Sequence, residues 1–186
     1  MKLLIMGPPG VGKGTQADCI KNELMIVHLS TGEILRAEVD AKSVIGINAK
    51  LYMDFGRLVP DNILIEIVTE RISKSDCQNG YILDGFPRTL PQAKGLDKMM
   101  HSIGHDLDCA ISLTANKDEL LDRLIKRGEE SSRSDDTPDV IRNRQNIYWE
   151  QTAPLLDFYH DKGILKEVDG LGEIPEITKR ILDILK

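Results

Sequence analysis

Apolar residues in this chain gather in short continuous runs separated by longer amphipathic stretches. Leu3-Leu4-Ile5-Met6 is the first run, and 25–29, 81–83, 110–113 and 163–165 follow it. A strand with one wet face alternates apolar and polar residues, whereas a strand covered on both faces is apolar throughout. These runs are of the second kind. Between them, apolar positions recur at helical spacing over 13–24, 32–39, 43–53, 62–73, 92–100, 117–126, 138–152 and 175–185. Strands alternating with helices predict an α/β fold, a parallel sheet with helices on both faces. Ligands bind such a sheet beyond the carboxyl ends of its strands. The residues just after each run are therefore where chemistry is expected.

The first of these places holds Gly7-Pro8-Pro9-Gly10-Val11-Gly12-Lys13-Gly14-Thr15. Strand, glycine loop, helix is the context of a phosphate-binding P-loop. Glycines let the backbone curl until several N–H groups point at one anion, and the helix N-terminus adds partial positive charge there. Lys13 supplies a cation that can follow a phosphate as it moves. The loop departs from the usual pattern at Gly14, which stands where a Ser or Thr would hold Mg²⁺; the hydroxyl comes one residue later, at Thr15. Magnesium is thus expected to be held mainly by nucleotide phosphates and water.

Composition narrows the reading. A chain of 186 residues suits one domain with small insertions. A net charge of −6 argues against a general nucleic-acid or membrane surface, so any basic site must be a local concentration of charge. The apolar runs are far shorter than the roughly 18 residues of a membrane span. The apolar start ends at once in Gly-Pro-Pro-Gly, too soon for a signal peptide. Cys19, Cys77 and Cys109 form no metal spacing and no even disulfide set, which points to a reducing cytoplasm.

Further motifs follow the later runs. In Ser30-Thr31-Gly32-Glu33, Ser30 and Glu33 fit a capping box, which leaves Thr31 to face a ligand. Arg36 lies one turn on, and two helical segments lead to Gly56-Arg57-Leu58-Val59-Pro60. Asp84-Gly85-Phe86-Pro87-Arg88-Thr89 follows the third run. An acid at a buried strand's end can orient water on Mg²⁺ or merely cap the turn; with a P-loop present, Asp84 is expected to do the former. Gln92 comes one turn later. Arg123 and Arg127 lead into the polar, apolar-poor stretch 128–138, which contains Arg133 and reads as a mobile lid. Arg142 and Arg144 open the next helix. Lys126 and Arg142 are read as a solvated face. None of the four histidines carries a visible site.

Taken in order, these motifs resemble adenylate kinase: Gly7-x-Pro9-Gly10-x-Gly12-Lys13-Gly14-Thr15-Gln16, Leu29-Ser30-Thr31-Gly32, Asp84-Gly85-Phe86-Pro87-Arg88-Thr89, and Arg133-Ser-Asp135-Asp136 with Arg144. The resemblance runs from Met1 to about Gly172. It implies a P-loop three-layer fold with a five-stranded parallel sheet, a helical monophosphate-binding subdomain at 30–59, a short lid at 128–138, and a core over 1–29, 60–127 and 139–186. It implies the reaction ATP + AMP ⇌ 2 ADP with Mg²⁺. Carried over by position, Gly10, Val11, Gly12, Lys13, Gly14 and Thr15 would hold the ATP phosphates. Thr31, Arg36, Arg57, Leu58, Val59, Gly85, Phe86, Pro87, Arg88 and Gln92 would bind AMP. Arg123 would flank the ATP adenine, Arg127 would touch ATP phosphates, and Gly172 would offer backbone contacts to the ATP base. Arg133 and Arg144 would bridge donor and acceptor phosphates, and Asp84 would act on Mg²⁺ through water. Lys13, Arg88, Arg127, Arg133 and Arg144 form the expected catalytic set. Glu33 stands where Asp is more usual. Long-lid relatives often carry four zinc-binding cysteines in the lid; this one has none, so structural zinc is not expected. The expected partners are ATP, AMP and ADP, bound by a monomer that takes neither nucleic acid nor membrane.

Two rivals remain in view. A UMP/CMP kinase shares the fold, but Thr31 and Thr89 stand where those relatives more often show Ala and Asn. A GTPase-like switch is suggested by Asn116-Lys117-Asp118-Glu119, close to the guanine-reading Asn-Lys-x-Asp. The last position is Glu, however, and Asn116 is better read as the cap of the helix near Lys117.

Overall fold

The computed structural model describes residues 1–130 and 137–186. Its centre is a parallel sheet of β1 (Lys2–Met6), β2 (Val27–Ser30), β3 (Tyr81–Asp84), β4 (Cys109–Thr114) and β5 (Leu165–Asp169), in the order β2-β3-β1-β4-β5. The register sets Leu4 beside Leu83 and Ala110 on its two neighbours. Successive side chains leave opposite faces, and both faces are apolar. Leu3, Ile5, Ile82, Ile111 and Leu113 point to one side, Leu4, Met6, Tyr81, Leu83 and Ala110 to the other.

Helices cover both sides. α1 (Lys13–Leu24), α6 (Lys117–Glu130) and α9 (Ile174–Ile184) bury Ala17, Ile20, Leu120, Ile177 and Ile181 against the first face. α4 (Asp61–Ile72), α5 (Leu90–Ser102) and α8 (Leu155–Asp161) bury Leu64, Val68, Leu96, Met100, Leu155 and Tyr159 against the second. α2 (Thr31–Asp40) and α3 (Val44–Met53) pair as a hairpin beyond the strand ends. They approach closely at Gly46, where a Cβ would stand 2.0 Å from the Glu38 carbonyl oxygen. α7 (Pro138–Ile147) runs into a π-turn at Tyr148–Thr152.

Helix starts follow their caps. Ser30, Ser43, Thr89 and Asn116 accept hydrogen bonds from the N–H groups of Glu33, Gly46, Gln92 and Glu119. The chain departs from expectation in three places. β5 runs through Leu-Lys-Glu-Val-Asp rather than 163–165; it pairs with β4 alone, at the sheet edge, so it has no need of a continuous apolar run. α6 continues past 126 to Glu130, into the expected lid. The expected helix over 138–152 splits into α7 and the π-turn, and α8 follows after Pro154.

Candidate active site

The motifs after β1, β2 and β3 and the arginines of α6 and α7 converge on one cavity of about 800 Å³ at the carboxyl edge of the sheet. The loop after β1 forms its floor. Gly12 is left-handed (φ 96°) at the N-cap of α1, where an L side chain would be strained. No side chain caps α1 and no acid of the helix itself lies in its first turn, so its first N–H groups are left for a ligand in the cavity. Gly10 is needed for space as well: a Cβ there would stand 2.8 Å from the Leu120 carbonyl oxygen.

Lys13 folds back over the loop and donates to the carbonyls of Gly7 at 2.7 Å and Pro8 at 3.0 Å. Burial pushes its ammonium down to about 8; Asp84 opposes this, while Arg88, Arg144 and Arg127 add to it. Asp84 ends β3 and is 9% exposed. Burial would raise its carboxyl, but His28, Lys13 and Arg88 outweigh it and hold the carboxyl below the usual carboxylate range. His28 Nε2 lies 3.5 Å from Asp84 and its Nδ1 lies 3.1 Å from Asp18. Burial opposes charge on this ring, yet the two carboxylates raise its pKa. Nothing in the sequence singled His28 out, because its partners lie on β3 and α1.

The acceptor side lies next to it. Thr31 is buried, and its hydroxyl donates to the Asp84 carbonyl at 3.3 Å. Arg36 lines the main cavity and a smaller one of about 70 Å³ beside it. The smaller cavity is walled by Thr31, Leu35, Arg57, Leu58, Val59 and Gly85, with Arg88 and Arg144 reaching in from the larger. Arg57 stacks over the Phe55 ring at 5.7 Å. Arg88 Nε donates to the Gly85 carbonyl at 2.7 Å, and its backbone N–H to Gln92 Oε1 at 2.7 Å. Pro87 lines the main cavity, whereas Phe86 lies in the core below the strand ends.

Gln92 is fully buried. Its Nε2 donates to Asp61 at 2.6 Å while its oxygen takes the Arg88 N–H, so both ends of the amide already have partners. Asp61 could not be found from sequence, since it lies 31 residues before Gln92.

Val11, Gly14, Thr15, Arg123, Arg127, Arg144 and Gly172 complete the larger cavity. Arg123 is held by Glu119 at 2.6 Å and by the Gly170 carbonyl at 3.3 Å. α7 closes the far side: Gln145 donates to the Pro9 carbonyl at 3.0 Å, and Asn143 to the Phe55 carbonyl at 2.6 Å. Arg133 lies outside the described residues. Among those residues, no group of three or more His, Cys, Asp or Glu could hold a metal ion, and no helix is long and apolar enough to cross a membrane.

Lys13, Arg88, Arg127 and Arg144 face Asp84 and one another across the same space. Such a concentration of cations compensates two anionic groups brought together. Set on a P-loop at the end of a parallel sheet, it defines a phosphotransferase of the P-loop class.

Comparison with known proteins narrows this. The family model "Adenylate kinase" matches residues 5–164. An adenylate kinase of Nocardioides sp. is 48% identical over 185 residues, covering 100% of this chain and 97% of its own. One from Leptospira biflexa is 49% identical over 181 residues, 97% of each chain. One from Stenotrophomonas maltophilia is 46% identical over 186 residues, the whole of both. The chain belongs to the adenylate kinase family. It is an enzyme that transfers the terminal phosphoryl group of ATP to AMP, giving two ADP.

Proposed function

We propose that the larger cavity takes ATP over the loop Gly10–Thr15 and AMP over the strand ends, with the AMP base directed into the smaller cavity. The observation that carries this reading is the ring of Lys13, Arg36, Arg88, Arg123, Arg127 and Arg144 around one space. The loop N–H groups and Lys13 grip the ATP phosphates, Arg127 joins them, and Arg123 with the backbone at Gly172 holds the ATP base. Arg36 and Arg88 grip the AMP phosphate. Arg144 lines both cavities and bridges donor to acceptor; Arg133 is assigned the same task. Thr31, Arg57, Leu58, Val59 and Gly85 form the AMP wall. Gln92 reads the base only by exchanging one of its internal partners.

The acceptor is a phosphate oxygen whose second pKa is near 6, so it is already largely ionised at neutral pH and needs no general base. The obstacle is charge, and the arginine forks answer it bidentately. Arginine aimed at a transferring phosphoryl group is worth roughly 10³-fold or more in rate.

The residues also suit hydrated magnesium. Asp84 is ionised, and a Cβ on Gly14 would stand 3.6 Å from its Oδ2, so the missing side chain leaves room for a water shell. Asp84 would orient that water, and the ion, when bound, would neutralise charge on the donor phosphates. No cysteine lies in 128–138, so structural zinc does not enter the reading. The 30–59 segment is assigned to AMP binding, the 128–138 segment to a lid that excludes water, and the enzyme to the cytoplasm as a monomer.

A coupled assay of ADP formation from ATP with AMP, GMP, UMP and CMP tests the proposal. AMP should be preferred by a large margin. Lys13→Met should keep a near-wild-type melting temperature and lose turnover by orders of magnitude. Equal use of UMP or CMP would replace this reading with the pyrimidine kinase, and full turnover in folded Lys13→Met would remove Lys13 from the site.

A further inference from the structure

We infer that Thr152 is a positioning residue for phosphoryl transfer, acting by holding the backbone of Arg88. The inference rests on the assignment of Arg88 to the AMP phosphate.

Its origin lies in the sequence Thr152-Ala153-Pro154. Proline has no N–H, and its ring collides with the carbonyl four residues back. A regular helix therefore cannot continue from α7 through this point. The chain widens instead: the Ala153 N–H reaches the Tyr148 carbonyl, five residues back, at 2.8 Å. This π-turn spans Tyr148–Thr152. Tyr148 and Thr152, four residues apart, share its inward face and are 6% and 7% exposed, while Trp149 between them is 43% exposed. π-turns inside helices recur at functional sites.

A helical threonine commonly returns its hydroxyl to the carbonyl four residues earlier. Thr69 does so to Ile65 at 2.6 Å, and Thr178 to Ile174 at 2.9 Å. Thr152 instead crosses to another element and donates to the Arg88 carbonyl at 2.9 Å, 64 residues away in sequence.

Arg88 is then held at three points. Gln92 of α5 takes its N–H, the Gly85 carbonyl takes its Nε, and Thr152 grips its carbonyl. The first two anchors belong to the β3–α5 segment itself. Thr152 comes from the other wall of the cavity, from the helical run that also carries Arg144. It therefore sets where Arg88 stands relative to Arg144, the spacing on which two phosphates depend. Without the hydroxyl the loop keeps its local bonds and its fold, but the guanidinium loses its reference to the far wall. Electrostatic stabilisation of a transition state is steep in position. The loss should fall on turnover and on use of AMP rather than on ATP binding.

Thr152→Val removes the hydroxyl at nearly constant volume, and Thr152→Ser keeps it. Steady-state kinetics should show kcat reduced roughly 5- to 30-fold in Thr152→Val, with KM for ATP within about twofold of wild type. Thr152→Ser should recover kcat to within about threefold. In an Arg88→Lys background, Thr152→Val should cost little more, because both changes act on one group. Should Thr152→Val fail to fold, Thr152→Ala takes its place in every comparison. The inference is overturned if Ser is as impaired as Val, if the loss lies in KM for ATP, or if Val costs the same with and without Arg88. An Arg88→Lys enzyme with wild-type kinetics would instead overturn the role given to Arg88.

Discussion

Lys13 carries a prediction that its position in the loop makes specific. Burial of its ammonium, helped by the charges of Arg88, Arg144 and Arg127 and opposed by Asp84, brings its pKa from 10.5 to about 8. The unfolded chain keeps this proton up to its ordinary value while the free enzyme gives it up near 8, so the loop loses a charge within a working pH range. Profiles of kcat/KM report groups of the free enzyme. kcat/KM for ATP should therefore fall on the alkaline side with a midpoint near 8, whereas kcat, read with phosphates bound beside the ammonium, should hold to higher pH. A flat kcat/KM up to pH 9.5 would contradict the burial argument. The glycines, Lys13, Asp84 and the Asn116 cap were legible because each acts within a few residues of a recognisable strand or helix end. His28, Asp61 and Thr152 were not. Their partners are Asp84, Gln92 and Arg88, each tens of residues away in sequence, and only the folded arrangement of sheet and helices brings them together. The Thr31 hydroxyl was expected to face a ligand; it lines the smaller cavity, with its proton directed to the Asp84 carbonyl.

Among the elements, the α2–α3 hairpin depends on one residue without a side chain. A Cβ on Gly46 would meet the Glu38 carbonyl carbon at 2.2 Å and its oxygen at 2.0 Å, both rigid backbone atoms. Gly46→Ala must push the helices apart, and overpacking of this kind costs about 1–3 kcal/mol. The hairpin feeds Thr31, Leu35, Arg36 and Met53 into the smaller cavity. The substitution should raise KM for AMP severalfold, leave KM for ATP within about twofold, and speed amide exchange across 31–53. An unchanged KM for AMP would detach the hairpin from the acceptor site. At this scale the interior elements could be read from sequence because β1, β3 and β4 are covered on both faces and so are written in apolar residues. β5 has a partner on one side only, and its Lys166 and Glu167 broke the apolar run, so the strand was expected at 163–165, a few residues early. The break at Tyr148–Thr152 was missed because the helical pattern passes through it unchanged, and the constraint enters only at Pro154.

Across the whole molecule, burial of ionisable groups sets an alkaline limit. Burial raises the phenol of Tyr148 to about 12 and those of Tyr81 and Tyr159 higher still. Each is neutral when folded and ionises near its ordinary value of 10 once unfolded, so the unfolded state sheds protons that the native state keeps. Stability from these groups is complete below pH 10 and declines as pH climbs from there towards their native values. The denaturation midpoint should drop steadily above pH 10, and tyrosinate absorbance should rise together with loss of helical signal. Three tyrosines ionising at pH 10.5 in a fully folded protein would refute this. The sheet order has a consequence for how the molecule comes into being. β1 is made first yet lies in the middle, bonded to β3 and β4. While the chain is being synthesised, its earliest strand waits without neighbours until residues 81–84 and then 109–114 have appeared. The glycine loop hung from β1 is therefore translated before the two strands that fix β1, and acquires its shape only after them. Closing such distant contacts is slow, and nascent chains shorter than about residue 114 should have no nucleotide grip at all.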